Sequence, residues 1–311
     1  MDKDIYLVVD TIKENHFEPR NAKYFNAACK GFAIHYGWHD INSWATEIGN
    51  THSCIAKYKL NGKPNWKPNV IITDLGRSFG GEHRLEYPNH KYLKIWYCAD
   101  EHRHHFNANG NVVGQPYFNW AKNFDYIFLR QKSVMPYYPK GKTFWFPHSV
   151  QIEKIPNNLF KYKYDIVFIS ASMTAERQNM VDSLKRFSIF FKNGRFPEAE
   201  YMNLTSLGRI AINKTQTDRG EINKRVFEAM ACGCMLLTND CKDSHLEELF
   251  QNKKHLVVYK NEKHMLELIK YYLNNKDERL KIAQAGHEEV MRNHTSSERV
   301  KQIVNFIRKK I

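Results

Sequence analysis

Short runs of β-branched and aromatic residues alternate along this chain with segments whose apolar positions recur at helical spacing. In the first half, residues 5–9, 69–73, 92–97, 126–129 and 143–146 read as strands. A polar stretch with Pro156 and Asn157-Asn158 lies between Pro147 and Tyr164 and reads as a hinge. The pattern then restarts with a strand over 164–169, a helix over 175–187 and a strand over 209–213. A helix over 221–232, strands over 235–238 and 255–259, and three terminal helices complete the chain. The last helix has a capping-box start, Thr295-Ser-Ser-Glu298, and lines Val300, Ile303, Val304, Ile307 and Ile311 on one face. Such alternation predicts an α/β protein built on parallel sheets. The expected division is 1–150, 151–295 and a C-terminal helix, 296–311, packing back toward the N-terminal domain. Two α/β domains in tandem place a ligand in a cleft, at the carboxyl ends of the strands.

Composition narrows the class. With 311 residues, 42% hydrophobic and 14% aromatic, the chain can bury two cores. No apolar run approaches the roughly 18 residues of a membrane helix, and no N-terminal segment reads as a signal peptide. The six cysteines have neither disulfide-framework nor zinc-pair spacing, and Cys232-Gly-Cys234 is too tight for a zinc knuckle. The expectation is a reducing, cytoplasmic protein without integral membrane association. The net charge of +14 is spread over both halves, 20 basic and 14 acidic residues in 1–160 against 27 and 19 beyond. Such a field attracts a polyanion; a lysine-rich composition without a special partner is the other reading.

The chemistry concentrates in residues 218–239. Read as a helix from Glu221, the segment buries Ile222, Val226, Phe227 and Met230 and places Glu221, Arg225 and Glu228 on one face. A helix start favours a phosphate, Arg225 can grip a diphosphate, and a carboxylate one turn on can hold two ribose hydroxyls. Gly233 ends the helix. The plainer alternative is an exposed helix laced by Glu221–Arg225 and Lys224–Glu228 pairs.

Here the sequence resembles a family. From about Tyr201 to Arg299 it is similar to the nucleotide-sugar domain of GT-B glycosyltransferases of the "glycosyl transferases group 1" type, in their spore-maturation glycosyltransferase-like branch. The resemblance rests on 207–214, the Asn223-x-Arg225-x-x-Glu228-Ala-x-Ala-Cys-Gly233 signature, Leu236-Leu-Thr-Asn239, 246–250 and 277–283. It implies two Rossmann-like parallel-sheet domains facing across a cleft, and a transferase that takes a sugar from a nucleotide-sugar, UDP-sugar foremost. By the same resemblance Glu228 binds the ribose, Arg225 and Asn223 face phosphates or sugar, and Asn213 and Lys214 approach the donor. One departure stands out. The larger retaining family carries a further Glu eight residues before the ribose-binding one, where this chain has Gly220; Glu221 or Asp218 could substitute. Upstream, Ser170-Ala-Ser172 with Arg177 also resembles the branch. Its loop N–H groups could reach a pyrophosphate with Arg177 a turn or so behind, and a surface ion pair is the plainer reading of Arg177.

The first half resembles the branch only in 95–100, 124–128 and 145–148. Asp100 and His102, just past a strand, can each accept a proton from an attacking hydroxyl and are the candidates for acceptor activation. His102, His104 and His105 complete no typical metal spacing, and the fold's members generally need neither metal nor cofactor. Retention, with the leaving phosphate assisting the incoming hydroxyl, is what the resemblance suggests. All six tryptophans lie in the first half, where they could stack on sugars or nucleobases or simply fill the core. The acceptor is open: a hydroxylated base in DNA, an acidic glycan, a surface or spore polysaccharide, or a protein. A degenerate scaffold that binds nucleic acid or glycan without catalysis is the alternative class. The sequence leaves the oligomeric state open.

Overall fold

The computed structural model describes residues 7–12, 51–54, 69–75, 91–98, 118–119, 121–215 and 220–311. The strands are β1 Leu7–Ile12, β2 Thr51–Cys54, β3 Val70–Leu75, β4 Leu93–Cys98, β5 Tyr126–Leu129, β6 Thr143–Trp145, β7 Tyr164–Ser170, β8 Ile189–Asn193, β9 Gly208–Asn213, β10 Met235–Asn239 and β11 Val257–Tyr259. The helices are α1 Ala175–Leu184, α2 Glu198–Thr205, α3 Lys224–Ala231, α4 Glu262–Asn274, α5 Lys276–Asn293 and α6 Ser296–Arg308. The chain forms two compact units, Met1–Pro147 with Ser296–Ile311, and His148–Thr295.

In the first unit the strands pair all-parallel in the order β2-β1-β3-β4-β5-β6. Side chains alternate across the sheet, so consecutive residues of β4 enter different cores. Ile95 and Tyr97 join Val70, Ile72, Phe128 and Phe146 beneath Val300, Ile303, Val304 and Ile307 of α6. Trp96 faces the other way, among Phe118, Phe124, Ile127, Leu129 and Tyr138. The helical face read from the sequence is thus the buried face of α6, with Ile311 packed at its edge.

The second unit pairs its strands in the order β11-β10-β9-β7-β8, again all-parallel. Its core runs from Ile166 and Phe168 through Ile210 and Ile212 to Leu237, and is closed by Met265, Ile269, Ile282 and Ala283. Helix α4 is held at its end by the next helix: Arg279 of α5 donates to the Tyr272 and Leu273 carbonyls at 2.6 and 3.3 Å. That satisfies acceptors a helix end leaves open. The strand order reverses between β7 and β9, and at such a switch point ligands bind beyond the carboxyl ends of the strands.

Four elements depart from the sequence expectation. Helix α3 begins at Lys224, not Glu221, so Glu221 lies before the helix and does not share a helical face with Arg225 and Glu228. The cause is a pairing with the loop after β10: Gly220 sits at φ +72 with its N–H on the Lys242 carbonyl at 2.7 Å, and the Glu221 N–H reaches Cys241 Sγ at 3.2 Å. These bonds hold the chain out of the helix until Asn223. Strands β2 and β8 and helix α2 were not anticipated; β8 is an edge strand, half-buried to exposed along its length. No helix among the described residues is long and apolar enough to cross a membrane.

Candidate functional site

The end of β9 is the centre of the site. Asn213, the last residue of that strand, is fully buried and fully engaged. Its Nδ2 donates to Thr238 Oγ1 at 3.0 Å, and its Oδ1 accepts from Asn223 Nδ2 at 3.0 Å and Arg225 Nη1 at 3.3 Å. Its carbonyl accepts from the Tyr259 hydroxyl at 3.0 Å. Through its side chain and its carbonyl, one buried asparagine therefore ties β9, β10 and β11 to the start of α3. Beside it Asn239 closes a two-way bond with Thr215, accepting from the Thr215 N–H at 3.0 Å and donating to its hydroxyl at 2.8 Å.

Asn223 occupies the position before α3, yet its side chain does not cap the helix. It turns inward to Asn213, which leaves the helix start without the side-chain oxygen that normally serves its free N–H groups. Such a start favours an anion. Arg225 stands next to it, half-buried, with its guanidinium over the Phe168 ring at 5.5 Å and Nε donating to the Tyr201 hydroxyl at 3.3 Å. Its Nη2 makes no hydrogen bond among the described residues. Burial pushes the Tyr201 hydroxyl upward, so it stays protonated beside the cation.

Glu228 lies one turn further on, buried between α2 and α3. Lys224 pairs with it at 3.3 Å and hydrogen-bonds Glu198 of α2 on its other side. The Lys224–Glu228 pair of the plainer sequence reading is therefore present, although inside the protein. Burial pushes the Glu228 carboxyl up, Lys224 draws it down and Glu198 adds to the rise. Lys224 is itself held above its ordinary range, because the two carboxylates outweigh its burial.

Across the switch point, Arg177 is buried, with its guanidinium turned to the backbone of two loops. Its Nη1 donates to Ser170 Oγ at 3.1 Å, the Ser172 carbonyl at 3.0 Å and Ser172 Oγ at 3.2 Å, and its Nη2 to the Lys214 carbonyl at 2.7 Å. The Ser170 hydroxyl in turn donates to the Ser172 carbonyl at 2.7 Å. Thr174 caps α1 by accepting from the Arg177 N–H at 3.2 Å. Arg177 thus strings together the loops after β7 and β9, where Lys214 pairs with exposed Glu176 at 2.8 Å.

The structure gathers Ser170, Ser172, Arg177, Asn213, Lys214, Asn223, Arg225 and Glu228 along the carboxyl-terminal edge of one sheet. Glu221 is buried near that edge, outside the helix. Asp100, His102 and Asp218 lie outside the described residues. Sequence reasoning missed Glu198, Tyr201, Thr238 and Thr215; the signal for the first two was Pro197 followed by acidic residues, a helix start. Cys232 and Cys234 are core residues whose thiols donate to the Met202 and Thr205 carbonyls at 3.3 and 3.2 Å. Burial pushes Cys234 up to about 12 and Cys232 well upward too. Among the described residues, His245, Glu247 and Glu248 bring ligand atoms within 4.8 Å of one another, on partly exposed surface.

Residues 177–305 match a family described as "Glycosyl transferase-like". No curated protein matches the chain. Among solved structures, a glycosyltransferase from Rickettsia africae superposes with a TM-score of 0.61 at 10% identity, covering 99% of each chain. Anabaena HepE gives 0.59 at 8% identity, over 96% of this chain and 99% of HepE. TarM gives 0.56 at 11% identity over 76% of this chain, which spans about half of TarM, 54%. At such identities the likeness establishes the fold, two Rossmann-like parallel-sheet units of the GT-B kind. The family match thus falls on most of the second unit and of α6, and the fold of both units is the one seen in solved GT-B glycosyltransferases.

Proposed function

We propose that the protein moves a glycosyl group from a UDP-sugar to a hydroxyl acceptor, with the nucleotide held on the carboxyl-terminal edge of the second sheet. The observation that carries this reading is the convergence beside buried Asn213 of an uncapped helix start and an arginine whose Nη2 is unengaged. Both are suited to a diphosphate. Glu228, one turn on, takes the ribose hydroxyls. Arg177 acts through the backbone it holds, shaping the Ser170–Ser172 loop and presenting Lys214. UDP is the favoured nucleotide because HepE has been crystallised with UDP and glucose, and TarM with UDP.

In this reading the diphosphate meets N–H donors and the cations Arg225 and Lys214, which themselves stabilise the leaving group. The transfer is retaining and needs no bound metal: the departing phosphate assists the acceptor hydroxyl, and the protein positions and balances charge. Asp100 and His102 act on the acceptor. The +14 charge favours a polyanionic acceptor, a hydroxylated base in DNA or an acidic glycan.

The test is transfer from labelled UDP-glucose and UDP-N-acetylglucosamine to hydroxymethylated DNA, acidic polysaccharide and neutral polysaccharide. Label on the DNA or acidic glycan supports the reading, and an α-anomeric product supports retention. Transfer to the neutral glycan alone refutes the polyanionic acceptor, and a β-linked product refutes retention.

A further inference from the structure

Between α2 and α3 one ammonium serves two carboxylates. Lys224 hydrogen-bonds Glu198 Oε1 and stands 3.3 Å from Glu228 Oε1. The Glu198 and Glu228 side chains are only 9% and 10% exposed. Glu198 Oε2 is buried without a hydrogen-bond partner. A buried carboxylate oxygen left unsatisfied is costly, and an apolar pair in place of Glu198 and Lys224 would pack there without that cost. A fold-stabilising role therefore accounts poorly for Glu198. Its effect on Glu228 accounts for it better.

Resting on the reading that Glu228 receives the ribose hydroxyls, we infer that Glu198 is a positioning residue for nucleotide binding, which engages Lys224 and keeps Glu228 open. Lys224 and Glu228 stand at i, i+4, the spacing at which a helical lysine and glutamate close on each other. With Glu198 present, Lys224 is shared, and the Glu228 contact stays a looser ion pair. Without Glu198, Lys224 has one carboxylate to satisfy and occupies the oxygens that a vicinal diol needs.

The pH dependence separates this role from simple support. The groups around Glu228 are Glu198 and Tyr201 from α2, Lys224 and Arg225 from its own helix, and Cys232 just past that helix's end. From α5, His287 is directed to the Ala231 carbonyl at 2.9 Å, and the turn packed on α2 brings exposed Glu153 and half-buried Lys154. Glu198 raises the Glu228 carboxyl, so its removal lets Glu228 stay ionised to lower pH.

The experiment titrates UDP, GDP, ADP, TDP and CMP into the full chain from pH 4.5 to 8 by calorimetry, and follows the tightest binder through the variants. Glu198→Gln should weaken binding about tenfold, with the acid loss of binding moved to lower pH than in the unaltered protein. Ionisation of the ligand is common to both profiles and cancels in their difference. Adding Lys224→Met should recover affinity, because no cation remains to close on Glu228. If Glu198→Gln fails to fold, Glu198→Asp, which withdraws the carboxylate from Lys224, is compared in the same way. Unchanged affinity and an unmoved pH midpoint, or a double variant no better than the single, overturns the inference alone. Failure of the unaltered protein to bind any of the nucleotides overturns the donor reading and this inference with it.

Discussion

Arg177 directs its guanidinium inward, and this decides what its replacement should do. Four bonds hold the Ser170–Ser172 loop to the Lys214 carbonyl, and a lysine cannot reproduce their forked geometry. Arg177→Lys should destabilise the protein by about 1.5–3 kcal/mol, the range for hydrogen bonds to a charged group. Denaturant unfolding measures it, and a midpoint equal to that of the unaltered protein would mean the loop is held by something else. Glu228 calls for the opposite outcome. Glu228→Ala should weaken nucleotide binding by about 1–3 kcal/mol, the scale of one charged acceptor. Equal nucleotide affinity in the two proteins, by calorimetry, would remove Glu228 from the ribose. The residue types of the candidate site were readable in the sequence because Arg225 and Glu228 stand three apart on a helical pattern that Gly233 closes. Their partners were not. Asn213 meets Thr238 only because β9 and β10 run side by side, it meets Asn223 only because the start of α3 lies at the end of β9, and Glu198 meets Lys224 only because α2 and α3 are neighbours.

Helix α3 shows where local signals succeed and where they fail. Its end follows from Gly233, at φ +75, with the Gly233 N–H on the Met230 carbonyl at 2.9 Å and the Cys234 N–H on the Ala229 carbonyl at 3.2 Å. That is the paired bonding of a glycine-terminated helix. Its start does not follow from charge spacing, because the chain before Asn223 is pinned to the loop after β10 by contacts far apart in sequence. Strand β8 and helix α2 escaped notice for a related reason: they are short, half-buried and without a sustained period. The floor under α3 is α5, which approaches closely at Gly286. A Cβ there would come within 2.3 Å of the His255 carbonyl oxygen and 3.2 Å of Met230 Sδ. Gly286→Ala should therefore cost about 1–3 kcal/mol by overpacking, unlike a typical helical glycine, which alanine improves. Thermal unfolding checks the sign: a stabilised variant would contradict the close contact.

At the scale of the whole chain, the alternation of strands and helices foretold parallel α/β architecture. The strand order, with its reversal between β7 and β9, could be known only from the pairing. That reversal is what gathers residues from four segments, 170–177, 213–215, 223–228 and 239, at one edge. Charge acts on the same scale. The +14 charge is the ground for the polyanionic acceptor proposed above, and the acceptor-side proposal is tested at Asp100. Asp100→Asn should lower kcat for transfer by at least about 10²-fold, the usual range for a general base, while leaving nucleotide affinity nearly unchanged. Equal loss of both would make Asp100 a support for the fold instead.

The central claim is that the second unit holds a nucleotide-sugar, and a thermal-shift screen of the purified protein tests it most directly. UDP, GDP, ADP, TDP and CMP are tried with their common sugar conjugates. A ligand at 100 times its Kd should add about 2.7 kcal/mol, a rise of several degrees at most for a chain of this size. The account predicts that UDP and a UDP-sugar give that rise, and that Glu228→Ala diminishes it. A folded protein whose melting temperature no nucleotide moves would contradict the account.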